Sequence, residues 1–582
     1  MHRLYSPSLS DHILTVRLPE FFDKEQQMTA LPRILLTGSP RFSAAPLTQL
    51  QGERGTEAAW RQALAAGAPA QALVGVQGSF AIGLDLDNGV TILAVDRFSI
   101  ETLCYRVVDD ELRFASRADE LADGAEIDPQ AIYDYLYFHV IPSPRTIFKD
   151  VFRLPPGHFA IFSQGRLTVK PFWVPNFQAV STPNFATLKS EFLQTLADSV
   201  QSQLDGSKPA CFLSGGTDSS TIAGMIGRVS GQKAASYSIG FEAEGYDEME
   251  YARLAAKHFQ TEHHEYYVTP QDLVQSIPRV AGYYDQPFGN SSALPAYYCA
   301  QMAHQDGVSK ILAGDGGDEL FGGNTRYAKQ RVFGFYDGIP PAVRSAALEP
   351  LLMNRVAEAT PLLRKASSYV RQAKVPMPDR LQTYNLLERL GVAEVLSAEF
   401  LKSVNQSGPQ AQQTQIWAEP KATNLVDRML AFDWRYTLAE ADLPKVRGTT
   451  ALAGLSVGFP MLDDRMLAIA LKLPPDYKLK GFKLRWFFKE ALRGFLPDEI
   501  ITKKKQGFGL PFGVWATRHP ELKALAAASL ESLVSRGLVN KHFVRQLLDQ
   551  RLAEHPGYYG EMVWILMMLE QWLQQHVPGY KI

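Results

Sequence analysis

Cysteine is scarce in this chain: 582 residues hold three, Cys104, Cys211 and Cys299. Their spacing fits no zinc pattern, and an odd count argues against a disulfide framework. No run of about 18 apolar residues occurs, so the sequence offers no bilayer-spanning helix. The opening residues, Met1 to Val16, contain no apolar run suited to a signal peptide, so a cytoplasmic location is the expectation. An excess of one charge is also lacking. The net charge is −2 at pH 7, and no global field draws the chain to nucleic acid or to anionic lipid. What is present is globular: 46% hydrophobic and 21% charged residues, a composition that excludes extended disorder. The length exceeds what one ordinary core organises, so more than one domain is expected.

Two stretches differ in texture. Residues from about 70 to 175 read as β-rich. Gly78 to Leu84 and Val90 to Val95 are apolar runs flanking Asp87-Asn88-Gly89, a strong hairpin signal. Leu154 to His158 turns into Phe159 to Phe162, and Gln164-Gly165 turns again into Leu167 to Val169. Proline-containing polar sequence from Pro175 to Pro183 reads as a linker. Beyond it, apolar runs at 210–213, 235–239, 264–268 and 310–313 alternate with helical patterns near 219–229 and 248–259. Strand–helix alternation of this kind predicts a parallel α/β sheet. From about 325 the chain reads mostly helical, and residues 335–425 are the least informative stretch.

Ser214-Gly215-Gly216-Thr217-Asp218-Ser219-Ser220 lies between an apolar strand and a helix. Backbone N–H groups of such a loop, with the helix N-terminus, suit an anion. Its glycines let a phosphate approach the backbone closely. No lysine follows them, so this is not a Walker A loop. Asp218 would repel a phosphate without an intervening cation, which implies Mg2+. The plain alternative is a tight turn whose glycines serve packing, and the flanking serines and Asp218 weigh against it. The second motif, Gly314-Asp315-Gly316-Gly317-Asp318-Glu319-Leu320-Phe321-Gly322-Gly323, follows a predicted strand. Acids among glycines at a strand's carboxyl end suit a metal and nucleotide site, and clustered carboxylates repel one another unless a cation is near.

Together these motifs resemble the synthetase domain of glutamine-dependent asparagine synthetases and their β-lactam-synthetase relatives. Tyr237 to Phe241, Asp247-Glu248, Thr261 to His264, Asp285-Gln286-Pro287-Phe288, Leu473-Pro474-Pro475 and Lys504 to Phe512 extend the resemblance, which covers roughly residues 70–582. It implies an α/β protein with two parts. Residues 1–175 would form an Ntn-type, β-rich αββα glutaminase-like domain. Residues 185–582 would form an adenine-nucleotide α-hydrolase-like parallel α/β domain with a helical variable region about 335–425. The resemblance also implies an ATP-dependent ligase. ATP would contact Leu213, Ser214, Gly215, Gly216, Asp218, Ser219, Ser220, Ile239 and Gly314, and Mg2+ would bridge Asp218 and Asp318. Asp315 would act as base toward a nitrogen nucleophile, and Lys505 would offset negative charge. The partners implied are a small-molecule or peptide carboxylate and an ammonia or amine donor, with a homodimer as the expected assembly and no nucleic acid or membrane.

The chain departs from that family at several points. Its glutaminases use an N-terminal cysteine, and here position 2 is His2, with no cysteine before Cys104. An imidazole cannot replace a thiolate in the same acyl-enzyme chemistry, so the expectation is a degenerate, inactive scaffold. Ser456 and Gly458 stand where the family has Glu and Arg, Gln286 replaces a Glu, and Lys445-Val446-Arg447 replaces a pattern with Asp after Val. Loss of an acid and a base beside the site would alter the substrate's charge preference. A peptide, polysaccharide or natural-product ligase fits the shared motifs as well as asparagine synthesis does. An ATP-binding pseudoenzyme with a regulatory role is the reading from another class.

Overall fold

The structure, a computed structural model, describes residues 34–65, 67–181, 184–354, 360–504 and 509–582. Its first part is built on β1 (Ile34–Gly38), helices α1 (Ala45–Arg54) and α2 (Thr56–Ala65), and strands β2 (Phe80–Asp85), β3 (Thr91–Val95), β4 (Cys104–Val108) and β5 (Glu111–Ala115). Helix α3 (Pro129–Phe138) and strands β6 (Phe152–Arg153), β7 (His158–Ser163) and β8 (Arg166–Pro171) complete it. An antiparallel sheet has the order β1-β2-β3-β7-β8, and a smaller one the order β5-β4-β6. The predicted hairpin is present, with Ala81 opposite Val95 and Asp85 opposite Thr91. Strand alternation sorts β2 between two faces. Phe80, Ile82 and Leu84 pack with Trp60 and Leu64 of α2, while Ala81 joins Leu93, Tyr105 and Phe114 on the other side. Gly83 is required there, because a Cβ would fall 2.4 Å from the Phe114 ring. The sequence reading missed β1, which pairs antiparallel with β2.

The second part begins with α4 (Phe185–Gln203) and continues through β9 (Ala210–Phe212), α5 (Thr217–Ser230), β10 (Ala235–Phe241), α6 (Met249–Phe259) and β11 (Glu262–Val268). Then come α7 (Ala293–Gln305), β12 (Lys310–Leu312) and α8 (Gly317–Phe321). After a series of shorter helices follow α9 (Leu443–Leu452), β13 (Ser456–Gly458), α10 (Asp464–Lys472), α11 (Trp486–Ala491) and the terminal α12 (Pro556–His576). The sheet order is β11-β10-β9-β12-β13, and every pairing is parallel. Helices cover both faces. Cys211 packs with Ile222 and Ile226 of α5, while Ala210 packs with Cys299 and Ala300 of α7. Burial on both faces explains why these strands read as unbroken apolar runs. Strand order reverses between β9 and β12, and in open sheets of this kind ligands bind at that reversal, outside the carboxyl ends of the strands.

Ion pairs join the two parts. Arg41 pairs with Asp463 at 2.9 Å and Arg97 with Asp464 at 2.8 Å. Glu101 receives Arg447 at 2.8 Å. Glu440, 3% exposed, is held by Arg153, by Arg435 and by the backbone and hydroxyl of Ser143. Asp96 organises the loop that carries Arg97 and Glu101. Its carboxylate accepts the N–H groups of Phe80, Phe98, Ile100 and Glu101, while burial pushes its pKa up to about 6. Among the described residues no helix is long and apolar enough to cross a membrane.

Candidate functional site

The loop after β9 and the loop after β12 meet at the strand reversal and open into a cleft of about 790 Å³. Gly215 has φ +70°, and a Cβ there would fall 2.4 Å from the backbone of Tyr251 and Ala252 in α6. Only glycine lets the chain turn this close to that helix. Gly216 caps α5, which puts Thr217, Asp218 and Ser219 in its first turn. The Ser219 hydroxyl accepts the Ser214 N–H at 3.1 Å and lies 3.0 Å from the Ser214 hydroxyl. The N–H groups at a helix start, flanked by two hydroxyls, suit an anion. Gly314 lets the second loop close onto the first, since a Cβ there would lie 2.9 Å from Ser219 N.

Leu213, Ser214, Gly216, Asp218, Ser219, Ile239, Gly314, Asp315 and Asp318 all line the cleft. Gly215 shapes it from behind. Ser220 is turned inward: it is fully buried, and its hydroxyl has no hydrogen-bond partner. Lys505 lies outside the described residues. The neighbouring Lys503 does line the cleft, paired with Glu248 at 3.1 Å and lying 4.2 Å from the Tyr251 ring centre.

Arg485, Lys445 and Asp442 also line the cleft, and the sequence does not mark them as site groups. Arg485, at the start of α11, donates Nη1 to Asp218 at 2.7 Å and to Asp318 at 2.6 Å, and Nη2 to the other oxygen of Asp218. Burial disfavours its charge, but Asp218 and Asp318 outweigh that and hold its pKa above the ordinary arginine value. Lys445, in α9, sits 3.0 Å from Asp442 and 3.6 Å from Asp315. Burial opposes its charge too, and Asp442 and then Asp315 more than compensate. Asp315 is pushed up by burial and only partly pulled back by Lys445. A carboxyl raised in this way is a better proton acceptor near neutral pH than an ordinary aspartate. Arg485 follows α5 by more than 250 residues, so no local spacing marks it.

Asp218 and Asp318 suit a hard divalent cation in chemistry. Mg2+ is commonly held by one or two carboxylates with substrate phosphates completing its shell. The backbone is fitted to these carboxylates. A Cβ on Gly317 would fall 1.9 Å from Asp218 Oδ1, and one on Gly323 would fall 1.7 Å from Asp318 Oδ1. Among the described residues no group of three or more His, Cys, Asp or Glu side chains could hold a metal ion.

Ser456 and Gly458 lie in β13 and do not line the cleft. Ser456 is exposed and donates to the Ser309 carbonyl at 3.2 Å. Gly458 is buried against Gln203 and Leu312, where a Cβ would approach to 2.5 Å and 2.7 Å. Their identities therefore shape the sheet edge, while the acids at the cleft end near Asp315 include Asp442 and Glu319. The three cysteines are free and buried, and burial raises the Cys104 thiol well above its ordinary value.

The asparagine synthase family model matches residues 191–574, and a glutamine amidotransferase domain model matches residues 48–173. Asparagine synthetase [glutamine-hydrolyzing] 1 of Bacillus subtilis is 26% identical over 486 residues, covering 82% of this chain and 74% of the relative. Asparagine synthetase [glutamine-hydrolyzing] 3 of the same organism is 22% identical, covering 85% and 76%. The amidase chry2 of Gibberella zeae is also 22% identical, covering 83% and 77%. With both halves matched, the chain belongs to the asparagine synthase family, and at that level it is an ATP-dependent ligase of the amidotransferase kind.

Proposed function

We propose that this enzyme activates a substrate carboxylate as an acyl-adenylate, releasing pyrophosphate, and then transfers ammonia or an amine to it with release of AMP. The observation that carries this reading is the convergence of the Ser214–Ser219 cradle, the Asp218/Asp318 pair and Asp315 in one cleft at the strand reversal. ATP would lie with its phosphates on the cradle and its adenine against Leu213, Ile239 and Gly314. The substrate oxygen attacks the α-phosphorus, and the bond to the bridging oxygen of pyrophosphate breaks. The N–H groups at the start of α5 and the Ser214 and Ser219 hydroxyls stabilise the charge that develops on the leaving group. Mg2+, when bound to Asp218 and Asp318, would supply further neutralisation there.

In the second step nitrogen attacks the acyl carbon and AMP leaves. The nucleophile must lose a proton as the amide forms, and Asp315 is placed to accept it. Lys445 keeps the Asp315 carboxylate oriented, and Asp442 balances the lysine. Lys505 is assigned its charge-offsetting role by resemblance alone. The nitrogen comes from ammonium or from an amine on the substrate. The first part of the chain acts as a scaffold without glutaminase activity. Cys104, which lies in this part, is buried at 1% exposure with its thiolate disfavoured, which is the opposite of a reactive thiol. Aspartate is one candidate acid. The fungal relatives named amidases are a reason to test others.

The test is pyrophosphate release from ATP and Mg2+ with aspartate and a panel of other carboxylates, using ammonium or glutamine as donor, beside Asp218→Ala. Release and amide formation with ammonium but not glutamine support the reading. Equal use of glutamine would overturn the scaffold assignment, and ATP binding without turnover on any acid would favour a pseudoenzyme.

A further inference from the structure

The place where a nucleotide's counter-ion would sit is taken up by a side chain of the protein itself. Arg485 Nη1 donates to Asp218 Oδ2 at 2.7 Å, to Asp318 Oδ1 at 2.6 Å and to Thr217 Oγ1 at 2.9 Å, while Nη2 donates to Asp218 Oδ1. The side chain is firmly set. Its backbone has φ +54° at the cap of α11, its guanidinium carbon lies 4.1 Å from the Phe488 ring centre, and it is 5% exposed. Mg2+ needs oxygen ligands at about 2.0–2.1 Å. A guanidinium within hydrogen-bonding distance of both carboxylates fills the space such an ion requires, so the two cannot occupy it together.

We propose that Arg485 is a gate on the metal site: its guanidinium holds Asp218 and Asp318 closed to a divalent cation until a bound triphosphate offers it other anionic partners. The inference rests on the reading that this cleft takes ATP. The surroundings favour the exchange. Lys483, Lys489, Lys503 and Lys504 line the cleft along with Arg485. A guanidinium leaving the carboxylates therefore moves among cations that a polyphosphate would neutralise, Lys503 being already paired with Glu248. Bare metal then binds with an affinity reduced by the small fraction of molecules whose guanidinium is withdrawn. Metal and nucleotide affinities become reciprocally coupled.

Mn2+ is the probe, with bound ion counted by electron paramagnetic resonance on the full chain. Wild type is expected to bind Mn2+ weakly alone and at least about tenfold more tightly with a non-hydrolysable ATP analogue present. Arg485→Gln is expected to bind Mn2+ without nucleotide at least about tenfold more tightly than wild type, and adding Asp318→Asn should abolish that gain. Arg485→Lys, which keeps a cation but loses the bidentate fork, should fall between them, and it serves if Arg485→Gln does not fold, as judged by its melting temperature. Equal Mn2+ affinity in wild type and both Arg485 variants overturns the gate. Failure of wild type to bind the analogue would instead overturn the nucleotide reading.

Discussion

Glu440→Ala should loosen the contact between the two parts of the chain more than any exposed ion-pair change. Glu440 is 3% exposed. It receives Arg153 from the first part at 2.5 Å, Arg435 from its own helix, and the Ser143 N–H and hydroxyl at 3.1 Å and 2.7 Å. Removing the carboxylate leaves the buried Arg153 and Arg435 guanidinium groups without their hydrogen-bonded counter-charge. Breaking one side of a buried pair typically costs about 3–5 kcal/mol, and the orphaned Ser143 N–H adds about 1 kcal/mol. Cavity relaxation and water entry offset part of this, so we expect about 4 kcal/mol. Urea unfolding followed by tryptophan fluorescence reads it, with the first transition moving to lower urea. Glu440→Gln keeps an acceptor for Ser143 and should lose less. The pH dependence has a defined direction. Burial raises the Glu440 carboxyl, but Arg153 and Arg435 more than reverse this and hold it below its ordinary value of 4.5. Its stabilisation is therefore present above that value and lost as pH falls through the lower folded value. The wild-type advantage over Glu440→Ala should shrink on acidification. A cost within about 0.5 kcal/mol of zero at pH 7, the range of ordinary surface changes, would refute the reasoning.

Gly215→Ala places a Cβ 2.4 Å from the α6 backbone at φ +70°; a cost of about 2–4 kcal/mol is expected from strain and overpacking together, read as a lower melting temperature and weakened binding of an ATP analogue. Asp315→Asn removes the proposed base while keeping its shape; kcat for amide formation should fall about 10²–10⁴-fold, with analogue binding changed little, as measured by fluorescence titration. All three thiols are buried, so a chromogenic disulfide reagent should titrate none rapidly in the native protein and all of them after denaturation.

Legibility in the sequence followed the range over which each signal acts. The Ser214–Ser220 loop and Gly314–Gly323 stood out because each compresses a strand end, a turn and a helix start into a few residues. The hairpin at Asp87 to Gly89 was equally plain. Strand β1 was not, because Ile34–Gly38 gains its identity by pairing with β2 some 45 residues later. Arg485 was invisible for the same reason: its partners lie 267 and 167 residues away. Ser456 misled in the other direction. Its place in a motif suggested a role beside the substrate, yet it sits exposed on the edge strand β13, bonded to Ser309. Ser220 likewise belonged to the motif by spacing, but the first turns of α5 point it into the core.

In the proposed reaction a carboxylate oxygen attacks the α-phosphorus of ATP. The most direct measurement uses aspartate, or whichever panel acid supports turnover, labelled with oxygen-18 in the reacting carboxylate, followed by mass analysis of the nucleotide product. AMP carrying one labelled oxygen, formed together with pyrophosphate and amide, is the expected result. Unlabelled AMP, or ADP with labelled inorganic phosphate, would contradict it.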